Sequence, residues 1–161
     1  MAFDPKKPYN DPKKSFSDSN KQNTESTVNY KKEFEQIASE NIGNKINADG
    51  IAFAEKFAKY LMCKDNTQSK PGDELTTSQI RNFFGEVRRI QMKGYTENKS
   101  SFYLLKPKLA YAAARAGKER VTMFREVMDV AHEQVKDSKQ YDNFCDFLEA
   151  ILAYHKANGG K

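Results

Sequence analysis

No stretch of this chain approaches the ~20 consecutive apolar residues that a membrane-crossing helix needs. Residues 1–30 hold no apolar core of the kind a secretory leader carries, so a cytoplasmic location is expected. There are only two cysteines, Cys63 and Cys145, each inside an apolar helical pattern and neither in a CxxC pair. Buried free thiols are the expectation, rather than a disulfide or a metal site. The two histidines, His132 and His155, share no metal-ligand spacing with them, and no metal is expected. His132 lies beside an apolar stripe without an evident acid and nucleophile, which predicts a structural or solvent-facing ring. Neither GxGxxG nor GxxxxGKS/T occurs, so the usual phosphate-cradling loops are missing, and so is the GxSxG elbow. No run alternates apolar and polar residues over the length of a strand, and nothing repeats at solenoid spacing. The chain should be all-α, without a cofactor and without catalytic residues. Side chains distant in sequence can still converge, so a helical nuclease stands as the weakest of three function classes.

What the chain does have is positive charge, unevenly placed. Its net charge is +5 at pH 7. Between Leu75 and Lys118 lie nine basic residues (Arg81, Arg88, Arg89, Lys93, Lys99, Lys106, Lys108, Arg115, Lys118) and two acidic ones, Glu86 and Glu97. That local balance exceeds the charge of the whole molecule, and it is suited to meeting an anion. Ile80, Phe83, Phe84, Val87 and Ile90 step by three and four, predicting a helix capped at Thr76, Thr77 or Ser78 and stopped by Gly94. Arg81, Arg88 and Met92 share a neighbouring stripe with Gly85 between them, and Asn82 and Arg89 sit beside it. A mid-helix glycine costs roughly 1 kcal/mol against alanine. Gly85 therefore implies tight helix packing, the favoured reading, or close approach of another backbone. A second helix is predicted from Leu105 to Arg115, with Pro107 in its first turn, Leu105, Leu109, Ala112 and Ala113 inward, and Gly117 at its end. Lys108, Tyr111 and Arg115 fall on one stripe of it.

Residues 1–30 are dominated by Lys, Asn, Asp, Ser and Pro and cannot bury enough apolar surface to offset the entropy of ordering, which predicts a disordered polar arm. Residues 31–161 read as a single helical domain, a compact bundle of about five helices. Phe34, Ile37 and Ile42 mark a short helix before Gly43. Ile51, Ala54, Phe57, Ala58, Leu61 and Met62 mark a longer one with Asp49 as its cap, and residues 64–74, containing Pro71-Gly72, form a loop. Val121, Phe124, Met128, Ala131 and Val135 predict the next helix, with Arg120, Arg125, Glu126, Asp129, Glu133 and Lys136 on a balanced solvent face. In the last, Tyr141, Phe144, Cys145, Leu148, Ile151 and Leu152 make a face wide enough, with Phe147 and Tyr154, to be central to a bundle. Tyr154, His155 and Lys156 stand at its end, where cations suit the helix dipole or offer a second contact to nucleic acid.

Phosphate binding needs only well-presented Arg and Lys, so backbone contact without sequence preference is the physical expectation for such a chain. Three ordered blocks sharpen it: LTTSQIRNFFGEVRRIQ from Leu75, LKPKLAYAAAR from Leu105 and FLEAILAYHKANGG from Phe147. Together they resemble the small helical subunit of type III-A CRISPR effector complexes, the Csm complex, over roughly the chain from Leu75 onward. The resemblance implies a non-catalytic subunit, present in several copies along the inner filament of a ribonucleoprotein. Its partners would be guide RNA and target RNA, other copies of itself, backbone subunits and the large polymerase-type subunit. It would place Arg81, Lys106, Lys108 and Arg115 at RNA, with Tyr154 and Lys156 as further candidates. The helical reading adds Arg88, Arg89 and Lys93. The alternative is a protein–protein scaffold whose basic stripes meet acidic neighbours.

Overall fold

Along the chain each run of apolar residues at steps of three and four is a helix in the computed structural model, which describes residues 29–160. The helices are α1 (Tyr30–Ala38), α2 (Ala48–Leu61), α3 (Thr77–Lys93), α4 (Lys99–Ala116), α5 (Glu119–Glu133) and α6 (Ser138–Ala157). The described residues thus hold six α-helices, against about five expected, and no strand. None of these helices is long and apolar enough to cross a membrane. The expected disordered arm falls on residues 1–28, outside the described residues, apart from its last two positions. Of those, Tyr30 is the first residue of α1 and is buried. The apolar pattern of α1 is sparse, yet Tyr30, Phe34 and Ala38 all bury, because Tyr30 and Phe34 join Phe53 and Phe57 of α2 and Phe147 of α6 in one aromatic cluster. Phe34 and Phe147 stack with ring centroids 4.6 Å apart.

The chain passes Gly43 without stopping, through a widened π-helical turn at Ser39–Asn44. Such a turn leaves backbone carbonyls poorly matched, and α6 supplies their donors. Asn143 Nδ2 donates to the Ile42 and Asn44 carbonyls at 3.0 and 2.9 Å, and Gln140 Nε2 donates to Gly43 O at 3.1 Å. The cap of α2 is Asn47 rather than Asp49: its side chain accepts from the Asp49 and Gly50 amides, and Asp49 sits in the first turn. Helix α3 has its cap at Thr76, with Gln79 reaching back to the Thr76 amide, and ends at Gly94 with φ 88°. Helix α4 ends at Gly117 as predicted, but it begins six residues before Leu105, so Pro107 lies in its interior. Phe102 and Leu105, both buried, anchor the turns before the proline. The carbonyl that loses its donor belongs to exposed Tyr103, where water can replace it.

Helix α6 is central, packed on α2, α3 and the π turn, while α4 packs chiefly on α5. Tyr141 of α6 donates its hydroxyl to the Val87 carbonyl of α3 at 2.7 Å. Cys145 is a buried free thiol whose pKa burial pushes up to about 12; Cys63, also free, is only half-buried and lies just past α2. Arg120 departs from the solvent-facing position expected of it. It is 2% exposed, its guanidinium lies 3.8 Å from the centre of the Tyr60 ring, and it donates to Thr67 Oγ1 at 2.8 Å. Asp65 and Asp73 each come within 3.8 Å of it, so one buried cation fastens the loop between α2 and α3 to the bundle. Arg120 was expected on the solvent face of this helix, and the folded loop covers it there.

Both histidines are structural. His132 stacks on Phe102 at 3.8 Å and donates Nε2–H to Phe102 O; fully buried His155 donates Nε2–H to Leu75 O at 2.7 Å. His155 is therefore not a cation closing α6. Burial lowers the pKa of both rings below the ordinary 6.5. A base whose folded pKa is depressed takes up its proton more readily when unfolded, so the stability it contributes is present above the unfolded pKa and lost as pH falls below it. The urea midpoint is expected to drop as pH falls from about 7.5 to about 5, before carboxylates titrate. Arg120→Met, which strands Asp65 and Asp73 beneath the loop, is expected to cost about 3–5 kcal/mol in urea unfolding.

Candidate nucleic-acid interface

The turn through Thr96–Asn98 returns α4 antiparallel beside α3, and because α4 leans onto α5 the two helices bound an open trough. Its larger part is a cleft of about 600 Å³. Leu75, Phe83, Leu109, Val121 and Phe124 line its floor, and Gln79, Asn82, Tyr111 and Arg115 stand around it. A smaller cleft of about 150 Å³ continues past Ile90, with Arg89, Lys93, Asn98, Ser101 and Leu104 around it. Glu86 and Lys108 line both and form the divide between them.

Helical spacing places Leu104, Lys108, Tyr111 and Arg115 on the flank of α4 that faces α3, and Asn82, Glu86, Arg89 and Lys93 on the flank of α3 that faces α4. Of the nine residues expected at an anion, the trough gathers Arg89, Lys93, Lys108 and Arg115. Arg89 and Lys108 are both paired with Glu86, at 2.6 and 2.8 Å. Lys93 and Arg115 are exposed and form no ion pair among the described residues.

The other five candidates lie elsewhere. Arg81 and Arg88 occupy the other flank of α3; Arg88 bonds Gln91 at 2.6 Å, and Gln91 bonds Asp142 of α6 at 2.7 Å. Lys106 turns toward α5, 3.0 Å from Glu133. Tyr154 is half-buried, and Lys156 donates to Gly160 O at 3.0 Å, closing the end of α6 as the dipole argument expects. Sequence reasoning did not single out Gln79 or Glu86 for this site: Glu86 and Lys108 are 22 residues apart, and no local spacing announces their contact.

A family model described as Csm2 Type III-A matches residues 44–161, from the end of the π turn through α6. The chain belongs to the Csm2 family. Neither the curated proteins nor the solved structures compared with it gave a match. The Csm2 match reaches further toward the N-terminus than the three blocks, taking in α2 and the Arg120 loop and leaving α1 outside. It makes the chain a small subunit of a type III-A CRISPR effector complex, in a family of non-catalytic subunits, with other Csm subunits as partners. Among the described residues no three His, Cys, Asp or Glu side chains converge on a point that could hold a metal ion.

Gly85, on the exposed face of α3 between Arg81 and Met92, does not have the packing role expected for it: a Cβ built there meets nothing within 4 Å. Its conformation is ordinary helix, so the only intramolecular effect of the glycine is its entropic cost. Gly85→Ala is expected to raise stability by roughly 1 kcal/mol and the thermal midpoint by about 3 °C. A fall in the midpoint would reveal a packing contact on this face after all.

Proposed function

We propose that this Csm2-family subunit binds the sugar-phosphate backbone of RNA along the α3–α4 trough, inside the effector particle and next to the paired guide and target strands. The observation that carries the reading is one open channel between two helices with an unpaired cation toward each end: Arg115 on α4 and Lys93 on α3. Phosphate oxygens are suitable partners for these groups, and the amides of Asn82 and Gln79 add donors that bind backbone without reading sequence. Arg81, on the opposite flank of α3, would touch a strand passing over that helix. Several copies along the inner filament would repeat the track, leaving RNA cutting and signal synthesis to neighbouring subunits.

Met92, Tyr103, Leu104 and Tyr111 favour the second reading, a scaffold held by protein contacts, because they are large apolar side chains left more than half exposed. Crosslinking within the assembled particle separates the two, since a pure scaffold yields no nucleotide adducts on α3 or α4. Weak contacts add along a strand, so the particle is also the sample for energetics. Replacing Lys93 and Arg115 together by alanine is expected to weaken target RNA binding and to flatten the slope of log affinity against log salt by about 1.5. Unchanged affinity and slope would remove the trough from the RNA path.

A further inference from the structure

Two of the four cations in the trough already have an anion. Glu86 stands midway along it with Oε2 2.8 Å from Lys108 Nζ and Oε1 2.6 Å from Arg89. It is the one acidic side chain lining either cleft among the described residues. The hydrogen bond from Lys108, and then that from Arg89, holds its carboxyl below the usual carboxylate range, so it is ionised wherever RNA is handled. Its two oxygens each take one cation, which is the arrangement a bound phosphate would adopt with the same two side chains.

We propose that Glu86 is an internal competitor for phosphate, which withholds Lys108 and Arg89 from RNA and confines the strand to two separate anion subsites. One is Arg115 with Asn82 and Gln79. The other is Lys93 with Ser101. The proposal rests on the RNA reading above, and it assigns that reading a determinant of affinity. An arriving phosphate gains little at the centre of the trough, because it must displace a carboxylate already bound there and meets its repulsion. Exposed ion pairs of this kind are individually weak, so the competition is a matter of charge more than of holding the helices together. A mere clamp between α3 and α4 would behave oppositely, since loosening it would spoil the trough.

The test titrates a labelled single-stranded oligouridylate with the full-length chain at low ionic strength, using the wild type, Glu86→Gln, Lys108→Ala and the double variant, each with its thermal midpoint. Glu86→Gln is expected to bind about tenfold more tightly, with a salt slope steeper by about one to two. Lys108→Ala should leave wild-type binding within about twofold, yet remove most of the gain in the Glu86→Gln background. No gain on Glu86→Gln overturns the proposal, and so does an equal loss from Lys108→Ala in both backgrounds. Were Glu86→Gln to lower the thermal midpoint, Lys108→Ala alone would still decide, since a large loss from that single change means Lys108 is not withheld. The RNA reading fails separately, on the Lys93 and Arg115 replacements in the assembled particle.

Discussion

Helix α6 has to be enclosed on most of its circumference, and the arrangement of the other helices follows from that demand. Eight of its residues are buried, among them Phe144, Phe147, Leu148, Ile151 and the two polar residues Asn143 and His155. Burying aromatic and aliphatic side chains stabilises by roughly 1.5–3 kcal/mol each, whereas an unbonded amide or imidazole in the same setting would cost a comparable amount. The neighbours of α6 therefore bring both apolar faces and matching polar groups. The π turn presents the carbonyls that Asn143 needs, and the approach to α3 presents the Leu75 carbonyl that His155 needs. A π turn is poor helix by itself; here its carbonyls tie the end of α1 to α6, beside the Phe34–Phe147 stack.

The basic trough is a by-product of the same enclosure. Helix α3 lies on α6 and α4 lies on α5, so the two flank a gap instead of packing along their whole length. Their facing sides cannot be wholly apolar, because they remain wet, nor does the fold demand charge there. The floor is closed by Phe83, Leu109 and Phe124, and the edges carry exposed cations. At a screening length of about 8 Å in physiological salt, the cations at the two ends act on an anion nearly independently, with Glu86 lowering the potential between them. In the reading proposed above, such a channel would hold a strand by its backbone without sequence preference.

Several features were legible because their causes are local. A cap among Thr76, Thr77 and Ser78 lies within one turn of its helix, Gly94 and Gly117 end helices through their own backbone freedom, and the density of apolar residues in α6 announces a central helix. The misplacements share an opposite origin. Pro107 was read as a helix start because its intrinsic cost is large; the anchoring of Phe102 and Leu105 against distant helices overrode it. Arg120 was read as solvated because charge usually is; Asp65, Asp73 and Tyr60 come to it through a loop whose path no periodicity describes. Gly85 was read as a packing site, and it faces open space.

The helical class, the concentration of cations between Leu75 and Lys118 and the Csm2-type blocks are properties of neighbouring residues, and the amino-acid order alone determined them. Which cations share a surface was decided only by the tertiary structure. Helical phase assigns a side chain to a flank, but the direction of that flank depends on how α3, packed on α6, and α4, packed on α5, bring together Glu86 and Lys108, 22 residues apart in sequence. Charge is counted along the chain, whereas its field is summed across space.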